Sequence, residues 1–358
     1  MGRARGAAAR RLAVRLGGRR YRRLFPRPGA RRGAAASSRP AGGALIVRVI
    51  RSVQRCARLP GGCVLTIGNF DGLHLGHQAI IARLRERARA LQLPSVMMTF
   101  EPMPRAFFDP DGAPARLSSL REKIEDARAL GVDIVACARF DAEFAAMSAD
   151  RFITDLLERR LDARHILVGE DFRFGQGRTG DVALLRTHAA QRGVDIAPLP
   201  EICVDGARVS STRVRRALAD GRPDQAACLL GHSYRVSGRV VTGERLGRTL
   251  GFPTLNIRLA RRPAPRYGVY AVQVGLADGT RRSGAASFGV RPTVNGREPL
   301  LEVYLLDFEG DLYGQRVDVS FESFIREEVR FDSLEALTDQ MHRDVDRVRA
   351  CLQERRSS

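Results

Sequence analysis

Lysine is almost missing from this chain. Of 60 lysine and arginine residues only Lys123 is a lysine, so nearly all the positive charge is arginine. A P-loop needs Gly-Lys-Ser/Thr, and that tripeptide is absent. A Schiff-base lysine is disfavoured too, because Lys123 lies in a charged helical pattern from Leu120 to Leu130. Phosphate handling then falls to arginine, histidine, backbone amides or a metal ion. No apolar run approaches the roughly 20 residues of a membrane helix, and no membrane partner is expected. The six cysteines (Cys56, Cys63, Cys137, Cys203, Cys228 and Cys351) are scattered, without C-x-x-C or other metal spacing. Several fall inside apolar runs, where a reduced, packed thiol is the expected state. This predicts a reducing, cytoplasmic setting and no tightly bound zinc or haem.

Acidic residues are lacking from residues 1–43, which hold 13 arginines. That segment supplies most of the net charge of +20 and leaves +7 for the other 315 residues. It is Arg, Ala, Gly and Pro with few large apolar side chains, so it cannot bury a core and is expected to be a disordered tail. It reads equally as a basic arm for nucleic acid or anionic lipid, as an acid-free targeting peptide, or as an upstream extension of the reading frame. Nucleic acid is expected as a partner only through this tail, since the remaining chain has no basic–aromatic ribonucleoprotein signature.

What is present is a chain of 358 residues with 44% hydrophobic content, enough for two domains with cores of their own. Over residues 44–230 strand-like and helix-like patterns alternate. Strands are expected at Val64–Phe70, Ser95–Phe100, Asp133–Phe140, His165–Phe172 and Val194–Leu199. Helices are expected at Leu75–Leu93, Ser119–Leu130, Ala149–Leu161 and Asp181–Arg192, with Ser119 and Glu122 forming a capping box. Such alternation implies a Rossmann-like parallel sheet with helices on both faces and ligands at the carboxyl ends of the strands. Over residues 231–358 the pattern becomes short alternating runs split by turn residues: Tyr234–Val241, Leu255–Ile257, Gly268–Val274, Ser283–Val290, Leu300–Leu306 and Arg316–Phe324. That predicts a six-stranded antiparallel β-barrel, closed by a helix from Ser333 to about Leu352.

Chemistry concentrates in a few segments. Gly68-Asn69-Phe70-Asp71-Gly72-Leu73-His74-Leu75-Gly76-His77 is a glycine-punctuated turn between a strand and a helix, with two histidines on one helix face. Helix-start amides attract phosphate, and the histidines add donors or charge. Val209-Ser210-Ser211-Thr212-Arg213-Val214-Arg215 opens a helix with three hydroxyls and two arginines, more than an N-cap needs and suited to a triphosphate. In the glycine-rich loop from Gly169 to Gly180, Phe172 and Phe174 either stack on a flat ring or anchor the loop. Phe100-Glu101-Pro102-Met103-Pro104-Arg105 is rigid and similarly ambiguous. In the second half, Gly247, Gly251 and Pro253 shape a flap. Thr254 and Asn256 share one strand face, where a hydroxyl and a carboxamide could hold Mg²⁺. Glu302 inside an apolar strand is either used for chemistry or sits on the outer barrel face.

Taken together, these segments resemble the prokaryotic bifunctional riboflavin kinase/FMN adenylyltransferase family, the FAD synthetases. The carrying segments are GNFDGLHLGH at 68–77, VGEDFRFGQGRTGD at 168–181, SSTRVR at 210–215, GRTLGFPTLN at 247–256, LLEVYLLDFEGDLYG at 300–314 and REEVRFDSLEAL at 326–337. The resemblance implies ATP-dependent phosphorylation of riboflavin to FMN, then adenylylation of FMN to FAD and pyrophosphate. It implies His74 and His77 as catalytic groups at the α-phosphorus. Gly68, Asn69, Phe70, Asp71, Gly76, Ser210, Ser211, Thr212 and Arg215 would bind ATP and its phosphates. Asp171, Phe172 and Phe174 would lie near the nucleotide or flavin. In the kinase domain Gly247, Gly251, Pro253, Thr254 and Asn256 would serve ATP and Mg²⁺, Glu302 would be the general base, and Arg326 and Glu328 would border the flavin. The chain is expected to be a monomer or weak homo-oligomer. It departs from the family at Leu255, where Ala is usual, at Met103, where His is common, and at Val329-Arg330, where Lys is frequent.

Overall fold

The computed structural model describes residues 47–357 except 199–200, 244–246, 248–249, 260–262 and 294–295, together with two short strands, Arg15–Leu16 and Arg19–Arg20. Apart from those two strands, the predicted tail over 1–43 lies outside the described residues. The chain divides into two compact units. One holds Ser118–Val209 and the described residues from Leu16 to Pro114; the other holds Arg15, Ala115–Leu117 and Ser210–Ser358.

The first unit is a parallel six-stranded sheet: β1 (Arg48–Arg51), β2 (Cys63–Ile67), β3 (Ser95–Glu101), β4 (Ile134–Arg139), β5 (Ala163–Val168) and β6 (Asp195–Pro198), in the order β1-β4-β3-β2-β5-β6. All five residues of β2 are buried, as both faces of a central parallel strand must be. Helix α1 (Leu75–Leu91) covers one face with Ile81, Leu84 and Ala88, spaced as one helical stripe. Helix α2 (Leu120–Ala129) starts at the predicted Ser119–Glu122 capping box, with both reciprocal bonds formed. Phe152–Arg160 winds as a π-helix within the predicted Ala149–Leu161 stretch, and α3 (Val182–Ala190) follows. Two differences from the sequence reading matter. Strand β1 was not expected, because four residues with two arginines carry no clear period. Strand β2 stops at Ile67 rather than Phe70, because the next residues leave the extended region.

The second unit begins with α4 (Ser211–Ala219) and α5 (Pro223–Leu230). A closed antiparallel barrel follows: β7 (Tyr234–Val241), β8 (Thr254–Leu259), β9 (Gly268–Gly275), β10 (Arg281–Thr293), β11 (Gly296–Leu305) and β12 (Arg316–Arg326), in the order β7-β8-β11-β10-β9-β12. Val317, Val319 and Phe321 of β12 alternate inward, and the rings of Tyr234, Tyr270 and Phe288 meet Phe321. Helix α6 (Leu334–Ser357) packs Val345, Val348 and Leu352 against Ala271, Ala285 and Tyr304 on the outer barrel face. Part of that outer face is thereby roofed.

Candidate active sites

The chain turns sharply where β2 ends. Gly68 N donates to Met98 O at 3.1 Å, extending the ladder by one rung. Phe70, Gly72 and Leu73 then take positive φ values of 46°, 83° and 38°. For a residue with a side chain that conformation costs about 1–2 kcal/mol, so other bonds must hold it. Asn69 O accepts from Thr99 Oγ1 at 3.2 Å and from Lys123 Nζ at 2.6 Å. The buried Asp71 carboxylate accepts from Ser118 N at 3.0 Å, and Gly72 N donates to Ser118 Oγ at 3.1 Å. Asp71 therefore wires the turn from beneath, while the Asn69 side chain faces solvent.

His74 caps α1, its Nδ1 accepting from His77 N at 3.4 Å. The two imidazoles stack with centroids 3.7 Å apart and planes at 14°. Gly76 allows this stack, since an added Cβ would come within 3.2 Å of the His74 ring. Burial first, then the neighbouring His74 and Lys123, hold the His77 imidazole well below its ordinary pKa. His77 is thus uncharged at neutral pH, and its Nδ1 is buried without a hydrogen-bond partner. An orphaned buried nitrogen costs free energy until a ligand satisfies it.

Val209, the last residue of the first unit, has its carbonyl 3.8 Å from the Cβ position at Gly76, and Ser210 follows directly in sequence. Within the second unit Ser210 Oγ accepts from Arg213 N at 3.3 Å and so caps α4. Arg215 Nε donates to Ala115 O at 2.7 Å. Ser211 is half-buried and Thr212 exposed at the helix start.

The Gly169–Gly180 loop is anchored by Phe174. Its ring is buried, 5.0 Å from Phe152, and Phe174 pairs with Gly180. Gly180 cannot carry a side chain without striking that ring, 2.5 Å from its Cβ position. Phe172 stacks on Phe174 at 5.4 Å, and the exposed Asp171 pairs with Arg208 at 3.5 Å. A second aromatic group stands beyond the carboxyl ends of β3 and β4. Phe140 contacts Phe100, Phe107, Phe108 and Phe144, and Phe108 is 68% exposed. Sequence reasoning missed Phe108; its signal was the Phe107-Phe108 pair just past a strand end. Met103 nearby is buried at the start of the short helix Pro104–Phe108.

In the second unit a cavity of about 420 Å³ lies between the outer barrel face and α6. Antiparallel register places Asn256 opposite Glu302 and Thr254 opposite Tyr304, with Ser287 on the other flank of Glu302. Directly opposed residues point the same way, so these side chains form one patch, three strands wide. Glu302 is on the outer barrel face, and that face is roofed. Leu255 pairs with Val303 and points to the opposite side. Gly247, Thr254, Asn256, Glu302, Arg326 and Glu328 all line the cavity; Gly251 and Pro253 do not. Gly251 instead supplies a left-handed corner, φ 83°. Arg248 and Thr249 of the flap lie outside the described residues. Arg326 is clamped by Asp344 of α6, also a lining residue, which the sequence reading did not single out. Burial pushes the Glu328 carboxyl up from its ordinary value, against the pull of Arg326.

A family model described as FAD synthetase matches residues 56–213, and one described as riboflavin kinase matches residues 230–352. The bifunctional riboflavin kinase/FMN adenylyltransferase of Escherichia coli strain K12 is 49% identical over 300 residues, spanning 83% of this chain and 96% of that protein. Its namesake from Pseudomonas fluorescens is 47% identical over 305 residues, spanning 85% and 97%. The one from Haemophilus influenzae is 44% identical over 304 residues, spanning 85% and 99%. A crystal structure described as a macrolide-efflux protein from Streptococcus pneumoniae is 31% identical, with a TM-score of 0.74 over 85% of this chain and 99% of that one. Among the described residues no helix is long and apolar enough to cross a membrane.

Proposed function

This chain belongs to the family of bifunctional riboflavin kinase/FMN adenylyltransferases, and from that premise we propose how its residues divide the work. It phosphorylates riboflavin to FMN with ATP, then joins FMN to a second ATP to give FAD and pyrophosphate.

In the adenylyl transfer an oxygen of the FMN phosphate attacks the α-phosphorus of ATP. The bond to the α,β-bridging oxygen breaks and pyrophosphate leaves. Such a step needs positioning and charge stabilisation rather than a covalent intermediate. We assign the turn amides of Gly68–Asp71 and the stacked His74 and His77 to the nucleotide phosphates. The orphaned His77 Nδ1 supports this, because a phosphate oxygen or its water would complete it. An arriving polyanion also favours protonation of His77, so the ring gains charge as the substrate brings the compensating one. Ser211, Thr212 and the α4 amides are assigned to phosphate oxygens, with Ser210 shaping that helix start and Arg215 holding residue 115. The exposed ring of Phe108 is assigned as a platform for the isoalloxazine, and Asp171 and Phe172 of the Gly169–Gly180 loop to the nucleotide or flavin.

In the kinase step the terminal ribityl hydroxyl attacks the γ-phosphorus, the proton passes to Glu302, and ADP leaves. The observation that carries this assignment is the convergence of Thr254, Asn256 and Glu302 on one roofed cavity. Mg²⁺ fits there, because a hydroxyl, a carboxamide oxygen and a carboxylate are the hard donors it prefers. Thr254 and Asn256 would hold it, and when bound it neutralises charge on the phosphates. Arg326 and Glu328 form the wall against the flavin. We assign residues 44–230 to adenylyl transfer and 231–358 to phosphorylation, whereas the compact units divide after Val209, so that α4 and α5 pack with the second.

A time course with riboflavin, ATP and Mg²⁺, resolving riboflavin, FMN and FAD, tests this reading. FMN rises first and FAD follows. His77→Ala stops the sequence at FMN, and Glu302→Gln blocks it at riboflavin yet still converts supplied FMN to FAD. A Glu302→Gln protein that phosphorylates riboflavin at the parent rate would remove the carboxylate from the mechanism.

A further inference from the structure

The one lysine of the chain is wholly buried, although it lies in a charged helical pattern. An ammonium taken out of water is costly unless its donors are used. Lys123 Nζ donates to Asn69 O at 2.6 Å and to Thr99 Oγ1 at 2.9 Å, and Thr99 Oγ1 donates on to Asn69 O at 3.2 Å. Both partners stand at the carboxyl edge of the sheet. Asn69 belongs to the strained turn, and Thr99 lies near the end of β3. Of the 60 lysine and arginine residues every other one is arginine, so whatever favoured arginine elsewhere did not operate here. The chemistry of the site gives a reason. A compact ammonium can point several donors at one carbonyl and one hydroxyl in a closed space, whereas a planar guanidinium is longer and fixes its donors in a fork.

We infer that Lys123 is a positioning residue for adenylyl transfer: it draws the Asn69 carbonyl down into the fold and fixes a positive charge beneath the phosphate-binding turn. Two consequences follow from the geometry. With the carbonyl held below, the Gly68–Asp71 turn keeps its amides for the opposite, ligand side. The buried charge adds to the field that the nucleotide phosphates meet, without itself reaching them. The same ammonium, after burial and His74, helps to keep His77 uncharged before substrate binds. The inference rests on the reading that the first unit carries adenylyl transfer.

A single lysine makes the test specific. Protein grown with [ε-¹³C]lysine carries one labelled side chain, and its resonance reports on this site alone. Addition of α,β-methylene-ATP with Mg²⁺ should move that resonance, while riboflavin alone should not. In steady-state assays Lys123→Met should lower kcat for FAD formation from supplied FMN about 100-fold, with KM for FMN changed less than about threefold. Lys123→Arg should restore less than about a tenth of the parent rate, because the charge returns without the geometry. Riboflavin phosphorylation by the same preparations serves as the internal reference and should stay within about twofold. A resonance indifferent to the nucleotide analogue overturns the inference, as does a Lys123→Met protein that makes FAD within about threefold of the parent. A parent protein that makes no FAD from FMN overturns the assignment beneath it as well, so the two failures are told apart.

Discussion

Asp344→Asn should detach the flavin wall of the kinase cavity from the helix that roofs it. Arg326 Nε reaches both Asp344 oxygens at 3.0 and 2.9 Å, and a terminal nitrogen reaches one at 2.7 Å. Only 17% of the Arg326 side chain and 6% of the Asp344 side chain are exposed. Losing one partner of a buried pair strands the other charge, which costs about 3–5 kcal/mol. Here the lower end applies. The substituted carboxamide can still accept one bond, Arg326 keeps its 2.8 Å bond to Glu327 O, and its guanidinium still lies over Phe331. The expected loss is about 3 kcal/mol, or roughly 6–12 °C in the melting of the second unit. Residues 326–331 hold four cavity-lining side chains, Arg326, Glu328, Val329 and Phe331. KM for riboflavin should therefore rise at least about tenfold, while conversion of supplied FMN to FAD is unaffected. Urea unfolding followed by kinase activity, with calorimetry, measures both effects. Arg326→Met/Asp344→Leu, which removes both charges, should recover much of the stability but not the riboflavin KM. The reasoning fails if Asp344→Asn costs less than about 1 kcal/mol, or if the double variant loses the sum of the two single losses.

Other outcomes follow from the same geometry. Glu302→Gln should lower kcat for riboflavin phosphorylation by about 10²–10⁴ with little change in KM, measured by initial rates of FMN formation. The folded-state pKa of His77 lies well below its unfolded value of about 6.5, so the unfolded chain binds more protons between the two. Stability from this group is complete above about pH 6.5 and is lost as the pH falls toward the folded pKa; urea melts of His77→Gln at pH 7.5 and 5.5 should show a flatter dependence than the parent. Gly175 has φ 74°, and a Cβ there would stand 2.7 Å from the Ala149 backbone. Gly175→Ala should destabilise the first unit by more than about 1–2 kcal/mol, read by chemical denaturation. Burial pushes the Cys63 thiol up to about 12. In the native protein it should resist alkylation that modifies the exposed Cys203, as peptide mass mapping would show.

Legibility in the sequence followed the strength of the local pattern. Both sheets and the closing helix rest on periods of two or 3.6 residues and the capping box on the Ser119–Glu122 pair; apart from strand β1, each formed within a few residues of expectation. Strand β1 escaped notice because Arg48-Val49-Ile50-Arg51 is too short to show a period, and its pairing with β4 is a long-range fact. Thr254 and Asn256 could be placed on one face from their spacing alone. That Glu302 stands directly across from Asn256 required the register of β8 against β11, which no local signal encodes. The burial of Lys123 was not legible for the opposite reason. Its neighbours Arg121, Glu122, Glu125 and Asp126 are all charged, yet Glu122, Lys123 and Asp126 are buried, and Lys123 reaches the turn at Asn69.

The sequence by itself determined the order of a parallel α/β unit and a β-barrel, the glycine turn with its paired histidines, and the family to which the chain belongs. These depend on side-chain period, turn chemistry and short motifs, all local along the chain. Only the tertiary structure decided that Phe174 is buried as an anchor of its loop, that the outer barrel face at Glu302 is roofed, and that Arg326 is clamped by Asp344. Each of these depends on which remote residue supplies a hydrogen-bond partner or covers a surface. Burial and pairing are properties of contacts between distant segments, and those contacts exist only once the chain has folded.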